Sequence, residues 1–151
     1  MNAKLNSLEV SAASWVGTPF CEHSAVKGAG VCCHRAVAEV LMEAGLLPRM
    51  ELPTAAPGHA RANSIGVLDA WLDGAGAKWF MSCPGRVISR TLFPGDVLGF
   101  RLGRSVHHVA LQLGEGRIFH AIQGAGAVIA PSLPPQWAQR LTRIWQPRAL
   151  I

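Results

Sequence analysis

Two adjacent thiols, Cys32 and Cys33, stand just before an apolar helical pattern, and His107, His108 and His120 follow far downstream in strand patterns. A thiol at a helix N-terminus sits in the positive end of the helix dipole, which favours the thiolate and its nucleophilicity. A histidine brought alongside by folding would serve as its base. The combination points to a cysteine hydrolase.

Helical spacing separates the two thiols. Steps of three, four, seven and eight residues from Cys33 reach Ala36, Val37, Val40 and Leu41, an apolar stripe that must face a core. The same steps from Cys32 reach Arg35, Ala36, Glu39 and Val40, at the polar edge of that stripe. Cys33 is therefore the thiol aimed at whatever packs on the helix, and Cys32 the edge residue.

The histidines are sorted by strand register. The patterns at 106–113 and 117–122 flank Gly114-Glu115-Gly116, a short hairpin connection. With Leu113 opposite Arg117, His120 faces Ala110 and His108 faces Ile122. His108 and His120 are then diagonal neighbours on one face, roughly 7–8 Å apart. A one-residue slip puts His107 on that face instead, so His107 and His108 both stay open at this point. A base held by a second histidine follows the nucleophile–base–orienter arrangement.

The elements that would position these groups read as helices first and strands later. A helix is expected over about 4–16, stopped by Gly17-Thr18-Pro19, then a loop over 20–31 and a second helix over 32–44 ended by Gly45. Pro48, Pro53 and Pro57 make the next stretch irregular. Asn63 or Ser64 would cap a third helix through Ile65, Leu68, Trp71 and Leu72 up to Gly74. Strands are expected at 86–90, 96–102, 106–113, 117–122, 126–130 and 141–146, with one turn at Pro134–Trp137 before the last. This order predicts an α+β domain with N-terminal helices on a mainly antiparallel sheet.

Length and composition set the bounds. A chain of 151 residues with 50% hydrophobic and 15% charged residues is expected to form one domain over 1–151 with a substantial core. Its net charge of +5 is carried by scattered arginines, without the basic, aromatic-interleaved stripe of a nucleic-acid binder. Four cysteines at uneven spacing do not make a secreted disulfide scaffold. No signal-peptide pattern opens the sequence and no apolar run is long enough to span a membrane. Synthesis in the cytoplasm is expected, with delivery to the cell wall, if any, by another system.

The order of motifs adds a family. Gly17-Thr18-Pro19-Phe20, Lys27-Gly28-Ala29-Gly30-Val31-Cys32-Cys33 and Glu43-Ala44-Gly45-Leu46 resemble the N-terminal half of an NlpC-type cysteine endopeptidase. Leu92-Phe93-Pro94-Gly95-Asp96-Val97-Leu98 resembles that family's Pro-Gly-Asp segment. His108-Val109-Ala110-Leu111-Gln112-Leu113-Gly114 through Arg117-Ile118-Phe119-His120-Ala121 resembles its histidine hairpin. The resemblance spans roughly residues 12 to 122.

It implies a papain-like fold, with Cys33 as nucleophile, His108 as base and His120 as the third polar residue. It implies hydrolysis of a peptide bond in bacterial peptidoglycan stems, often between D-glutamate and a diamino acid, without a cofactor. The short form is similar to those encoded with phage tail or prophage genes, which implies a phage-tail or cell-wall-associated protein partner.

The chain also departs from that pattern. The family usually has Asp before the cysteine and Ser-Gly after it, where this chain has Cys32 and His34-Arg35. Many members place a tyrosine near Phe20 or Cys21 as an oxyanion donor, and this protein has no tyrosine. Phe20, His23 and Cys32 are the candidates left around the oxyanion, with His23 the replacement donor.

Two alternatives stand beside the peptidase. One is a catalytically impaired structural or binding relative. The other is a zinc module using Cys21, His23, Cys32, Cys33 and His34, whose thiols and imidazoles are zinc-type ligands at a spacing that fits no standard finger.

Overall fold

The computed structural model describes residues 3–52, 67–102 and 105–151. Helix α1 (Ala3–Trp15) and helix α2 (Cys33–Glu43) are joined by a loop that contains a small hairpin, β1 (Ala25–Val26) with β2 (Gly30–Val31). Helix α3 (Val67–Asp73) precedes strand β3 (Phe80–Ser82) and the short helix α4 (Pro84–Ser89). Strands β4 (Val97–Leu102), β5 (Ser105–Gln112), β6 (Ile118–Ile122) and β7 (Gly126–Ala130) follow. A four-residue helix, α5 (Pro135–Ala138), leads into β8 (Leu141–Pro147). The strands form one six-stranded sheet, every ladder antiparallel, in the order β3-β8-β4-β5-β6-β7.

The α+β architecture, with N-terminal helices on an antiparallel sheet, is the one expected. The sheet carries apolar side chains on both faces because both are covered. On one face Val97, Val109, Leu111, Phe119 and Ala121 pack with Leu8, Ala12, Val37, Val40 and Leu41 of α1 and α2. On the other, Leu98, Phe100, Ala110, Ile118 and Ile144 pack under Val87, Leu92, Leu133 and Trp137 from α4, α5 and their flanks. Val109 and Leu111 thus enter one core and Ala110 the other, as the alternation of a strand requires, while Val106, beyond the register shift at Phe100/Arg101, joins the helix-side core.

Three corrections follow from tertiary context. Residues 86–89 are helical and Arg90 closes the helix at φ 57°, because Pro84 occupies the first turn of α4, where its missing N–H costs nothing. The sheet's edge is instead β3, three residues too short to show an alternating pattern. The loop over 20–31 contains the β1–β2 hairpin. The expected caps Asn63 and Ser64, with Ile65, Pro53 and Pro57, lie outside the described residues.

Side-chain ties hold α1 against the parts that carry the thiol and the histidines. Glu43 of α2 accepts hydrogen bonds from Ser11, from Trp15 Nε1 at 2.8 Å and from Lys27 Nζ at 3.1 Å. Glu9 accepts from the Gly114 N–H at 2.9 Å and pairs with Arg117 at 2.6 Å, fixing the β5–β6 turn to α1. Gly126 lets β7 approach the loop after α1: its φ is +78°, and a Cβ there would lie 2.4 Å from the Thr18 carbonyl oxygen.

The start of β4 rests on a buried ion pair. Asp96 is 1% exposed and receives Arg86 in a two-pronged contact at 2.6 and 2.8 Å, while its carboxylate also accepts the Phe93 N–H at 2.6 Å. Bidentate geometry and a satisfied carboxylate offset the desolvation of both charges, but losing one partner strands the other. Asp96→Ala is expected to destabilise the fold by about 3–5 kcal/mol in urea unfolding, and the double replacement Asp96→Leu with Arg86→Met by much less.

Candidate active site

Helix α2 begins at Cys33, with Cys32 as its N-cap residue in an extended conformation. The stripe expected to be internal is so: Ala36, Val37, Val40 and Leu41 are all buried. Cys33, on that face, turns its Sγ to the His107 carbonyl oxygen of β5 at 4.0 Å. The Val109 N–H also reaches this sulfur.

The backbone pattern explains the docking. Alternate residues of an antiparallel strand direct both N–H and C=O to the same neighbour. On β5, Leu111 pairs with Phe119 of β6, so Val109 and His107 direct their groups to the same side. The β5–β6 ladder consists of Leu111–Phe119 and Gln112–Ile118. The sulfur of Cys33 therefore takes up strand groups of β5 just beyond the last pair, in the opening between β5 and β6.

The two histidines border that opening on the sheet face away from α2. Leu113 N–H donates to the Arg117 carbonyl at 2.8 Å, which is the register with Leu113 opposite Arg117. It brings His108 and His120 together: His108 Nε2 and His120 Nδ1 lie 3.0 Å apart. Both residues are buried, whereas His107 is exposed on the other face. The structure thus decides the choice of histidine that pairs with His120 in favour of His108.

An aromatic cover lies over the pair. The Trp137 ring sits 4.5 Å from the His108 ring at 31°, and 6.3 Å from His120 at 76°. Phe100 lies 5.8 Å from His108 on the adjoining strand. The sequence offers Trp137 only a place in the turn at Pro134–Trp137, which carries no sign of this cover.

The environment holds these groups uncharged. Desolvation, with smaller contributions from the charges of His120 and His107, pushes His108 down to about 3, and desolvation pushes His120 down to about 4. Cys33 is half-buried, yet enough protein surrounds its sulfur to push the thiol up to about 12 against the opposing Val109 N–H. In the resting arrangement the thiol faces a carbonyl rather than an imidazole, and neither gains a charge partner.

The remaining candidates are dispersed. Cys32, expected at the polar edge, is 3% exposed, because the loop before it folds over the helix tip: its N–H donates to the Ser24 carbonyl at 3.2 Å. Its Sγ lies 3.7 Å from His34 Nδ1. Phe20 is half-buried against the helix-side core and bridges Val31. His23 is exposed at φ 61°, with Nε2 3.8 Å from Glu22. The structure does not bring Phe20 or His23 to the Cys33 sulfur.

The zinc alternative is corrected on the same grounds. Cys21 accepts from Ser24 Oγ at 3.2 Å, Cys32 turns to His34 and Cys33 to β5. Among the described residues no three His, Cys, Asp or Glu side chains converge in a group able to hold a metal. Neighbouring residues at a helix start project in different directions, so the adjacent thiols do not share one ligand sphere.

Known structures match this arrangement of helices and sheet. A lipoprotein-like protein of the NLP/P60 family from Staphylococcus aureus subsp. aureus Mu50 superposes at a TM-score of 0.63 with 17% identity, over 97% of this chain and 42% of that one. The NlpC/p60 domain of the peptidoglycan hydrolase SagA superposes at 0.57 with 18% identity, over 95% and 97% of the two chains. The fold is that of NlpC/P60 domains.

RipD from Mycobacterium tuberculosis, described as a non-catalytic NlpC/p60 domain protein adapted to peptidoglycan binding, superposes at 0.56 with 12% identity over 98% and 99%. This chain therefore spans about two-fifths of the staphylococcal protein and nearly all of the SagA and RipD domains. No protein-family model and no curated protein sequence matches it. Among the described residues no helix is long and apolar enough to cross a membrane.

The histidines of this NlpC/P60 fold make a pH prediction. His34, His108 and His120 are held down to about 4, 3 and 4, whereas an unfolded chain protonates them near 6.5. Between those limits the unfolded state binds more protons, so stability rises with pH. Urea unfolding is expected to show full stability above about pH 7 and a decline as pH falls from about 6.5 towards 4. His108→Gln should make that decline shallower.

Proposed function

We propose that this chain is a cysteine peptidase that hydrolyses a peptide bond in the stem peptides of bacterial peptidoglycan. The observation that supports the reading most is the juxtaposition at one opening of the sheet: a helix-tip thiol seated on the His107–Val109 backbone, and a His108–His120 pair at 3.0 Å beside it. The fold shared with NlpC/P60 domains, one of them a peptidoglycan hydrolase, supports the substrate class.

In this reading Cys33 is the nucleophile. His108 Nε2 is engaged by His120, so Nδ1 is the ring nitrogen left to take the thiol proton. The chemistry needs ring and sulfur to meet around the edge of β5, where each charge stabilises the other and the two groups titrate as a pair. The sulfur attacks the stem-peptide carbonyl, forming a C–S bond, and the oxyanion is met by main-chain N–H groups at the start of α2. His108 returns the proton to the leaving amine as the C–N bond breaks. Water then cleaves the thioester, and the thiol is restored. His120 orients His108 throughout. A cell-wall-associated or phage-tail partner would bring the chain to its substrate.

A second reading is a relative that binds peptidoglycan without cutting it. It is favoured by the thiol's contact with the His107 carbonyl instead of an imidazole, and by the absence of any tyrosine to serve as an oxyanion donor.

Digestion of defined muropeptides, read by mass spectrometry, separates the two. The peptidase reading expects cleavage by the wild type, none by Cys33→Ala, and a loss of about 10²–10⁴-fold with His108→Ala. Wild type and Cys33→Ala that bind muropeptides equally and leave them intact would establish the second reading instead.

A further inference from the structure

The segment between β7 and β8 places one large side chain on the histidine pair, and the proposed chemistry does not use it. Trp137 belongs to α5, a helix of four residues held by Pro134 and Pro135 and by the Arg90 hydrogen bond to the Ala138 carbonyl at 3.1 Å. Its indole lies over His108 at 4.5 Å, tilted by 31°, and edge-on to His120 at 6.3 Å and to Phe100 at 5.4 Å. His108 is thus confined between Phe100 from β4, Trp137 from α5 and His120 from β6.

We propose that Trp137 is a positioning residue: its indole fixes the plane of the His108 ring and keeps water from the Nε2–Nδ1 hydrogen bond to His120, so that His108 Nδ1 is held towards the opening where Cys33 docks. This rests on the peptidase reading for its purpose, though not for its geometry.

The physical argument has two parts. An imidazole hydrogen-bonded through one nitrogen still rotates about that bond unless its faces are packed, and Phe100 and Trp137 supply the packing. A hydrogen bond between neutral rings is also weakened when water competes for either nitrogen, so its persistence depends on a dry cover. Few other charges act on the pair. His120 faces His108 from β6, His107 lies next to it on β5, and the side chains that face it from β4 and α5, Phe100 and Trp137, do not titrate.

The test is a nuclear magnetic resonance titration of the ring protons of His108 and His120, with the full chain as wild type, Trp137→Phe and Trp137→Leu. Wild type and Trp137→Phe are expected to keep both rings uncharged well below pH 5 and to show a slowly exchanging imidazole N–H at neutral pH. In Trp137→Leu the midpoint of His108 should move up by more than one pH unit and that N–H signal should vanish.

A Trp137→Leu chain that is folded by thermal melt and titrates like the wild type would overturn the proposal. So would a folded Trp137→Phe chain that loses the slow N–H, which keeps the test decisive if the leucine variant fails to fold. None of these readouts uses substrate. A wild type that leaves muropeptides intact but shows the expected titrations would reject the peptidase reading while supporting the role of Trp137.

Discussion

The structure depends on where the β5–β6 ladder stops. Its pairs are Leu111–Phe119 and Gln112–Ile118, so the strand groups of His107 and Val109 face an opening instead of a neighbouring strand. Buried N–H and C=O groups must find partners, and here the partner is a sulfur from the tip of α2. The same opening gives the side chains of His108 and His120 room to meet across the two strands. One interruption in the sheet therefore accounts for the seat of the thiol and for the contact of the imidazoles.

Around that opening the fold is over-determined on the helical side. Glu43 gathers Ser11, Trp15 and Lys27, while Glu9 clamps the turn between the two histidine strands to α1. These contacts fix α2 relative to β5, and hence the sulfur relative to the strand backbone. On the opposite face the cover is made of short pieces. Helices α4 and α5 have six and four residues, and the Arg86–Asp96 pair ties α4 to the start of β4. The thiol is thus held by long elements and the imidazoles by small ones.

Much of this was legible in the sequence, and for identifiable reasons. Helix α2 announces its buried face through Ala36, Val37, Val40 and Leu41, which singles out Cys33. The Gly114-Glu115-Gly116 connection marks the hairpin, but the choice between His107 and His108 stayed open until the structure set Leu113 opposite Arg117 and brought His108 to His120. Other features were not legible. Cys32 was expected at an edge because helical spacing says nothing about a loop folding back over the helix tip. Residues 86–90 have strand-like composition, but Pro84 and its tertiary position make 86–89 helical. The cover of Trp137 over the histidines joins residues far apart in the chain through an irregular segment, and no periodicity encodes that.

The division between long and short supports has an evolutionary reading. The berth of the Cys33 thiol is written into α1, α2 and the middle of the sheet, whereas the roof above the imidazoles is written into a ten-residue connection, 131–140, that could be recut without touching those walls. Drift in that connection would change the surroundings of the imidazoles while the sulfur kept its place. Two chains with superimposable scaffolds would then differ in how their imidazoles are held, and the deciding changes would lie in that connection rather than in the helices or the sheet.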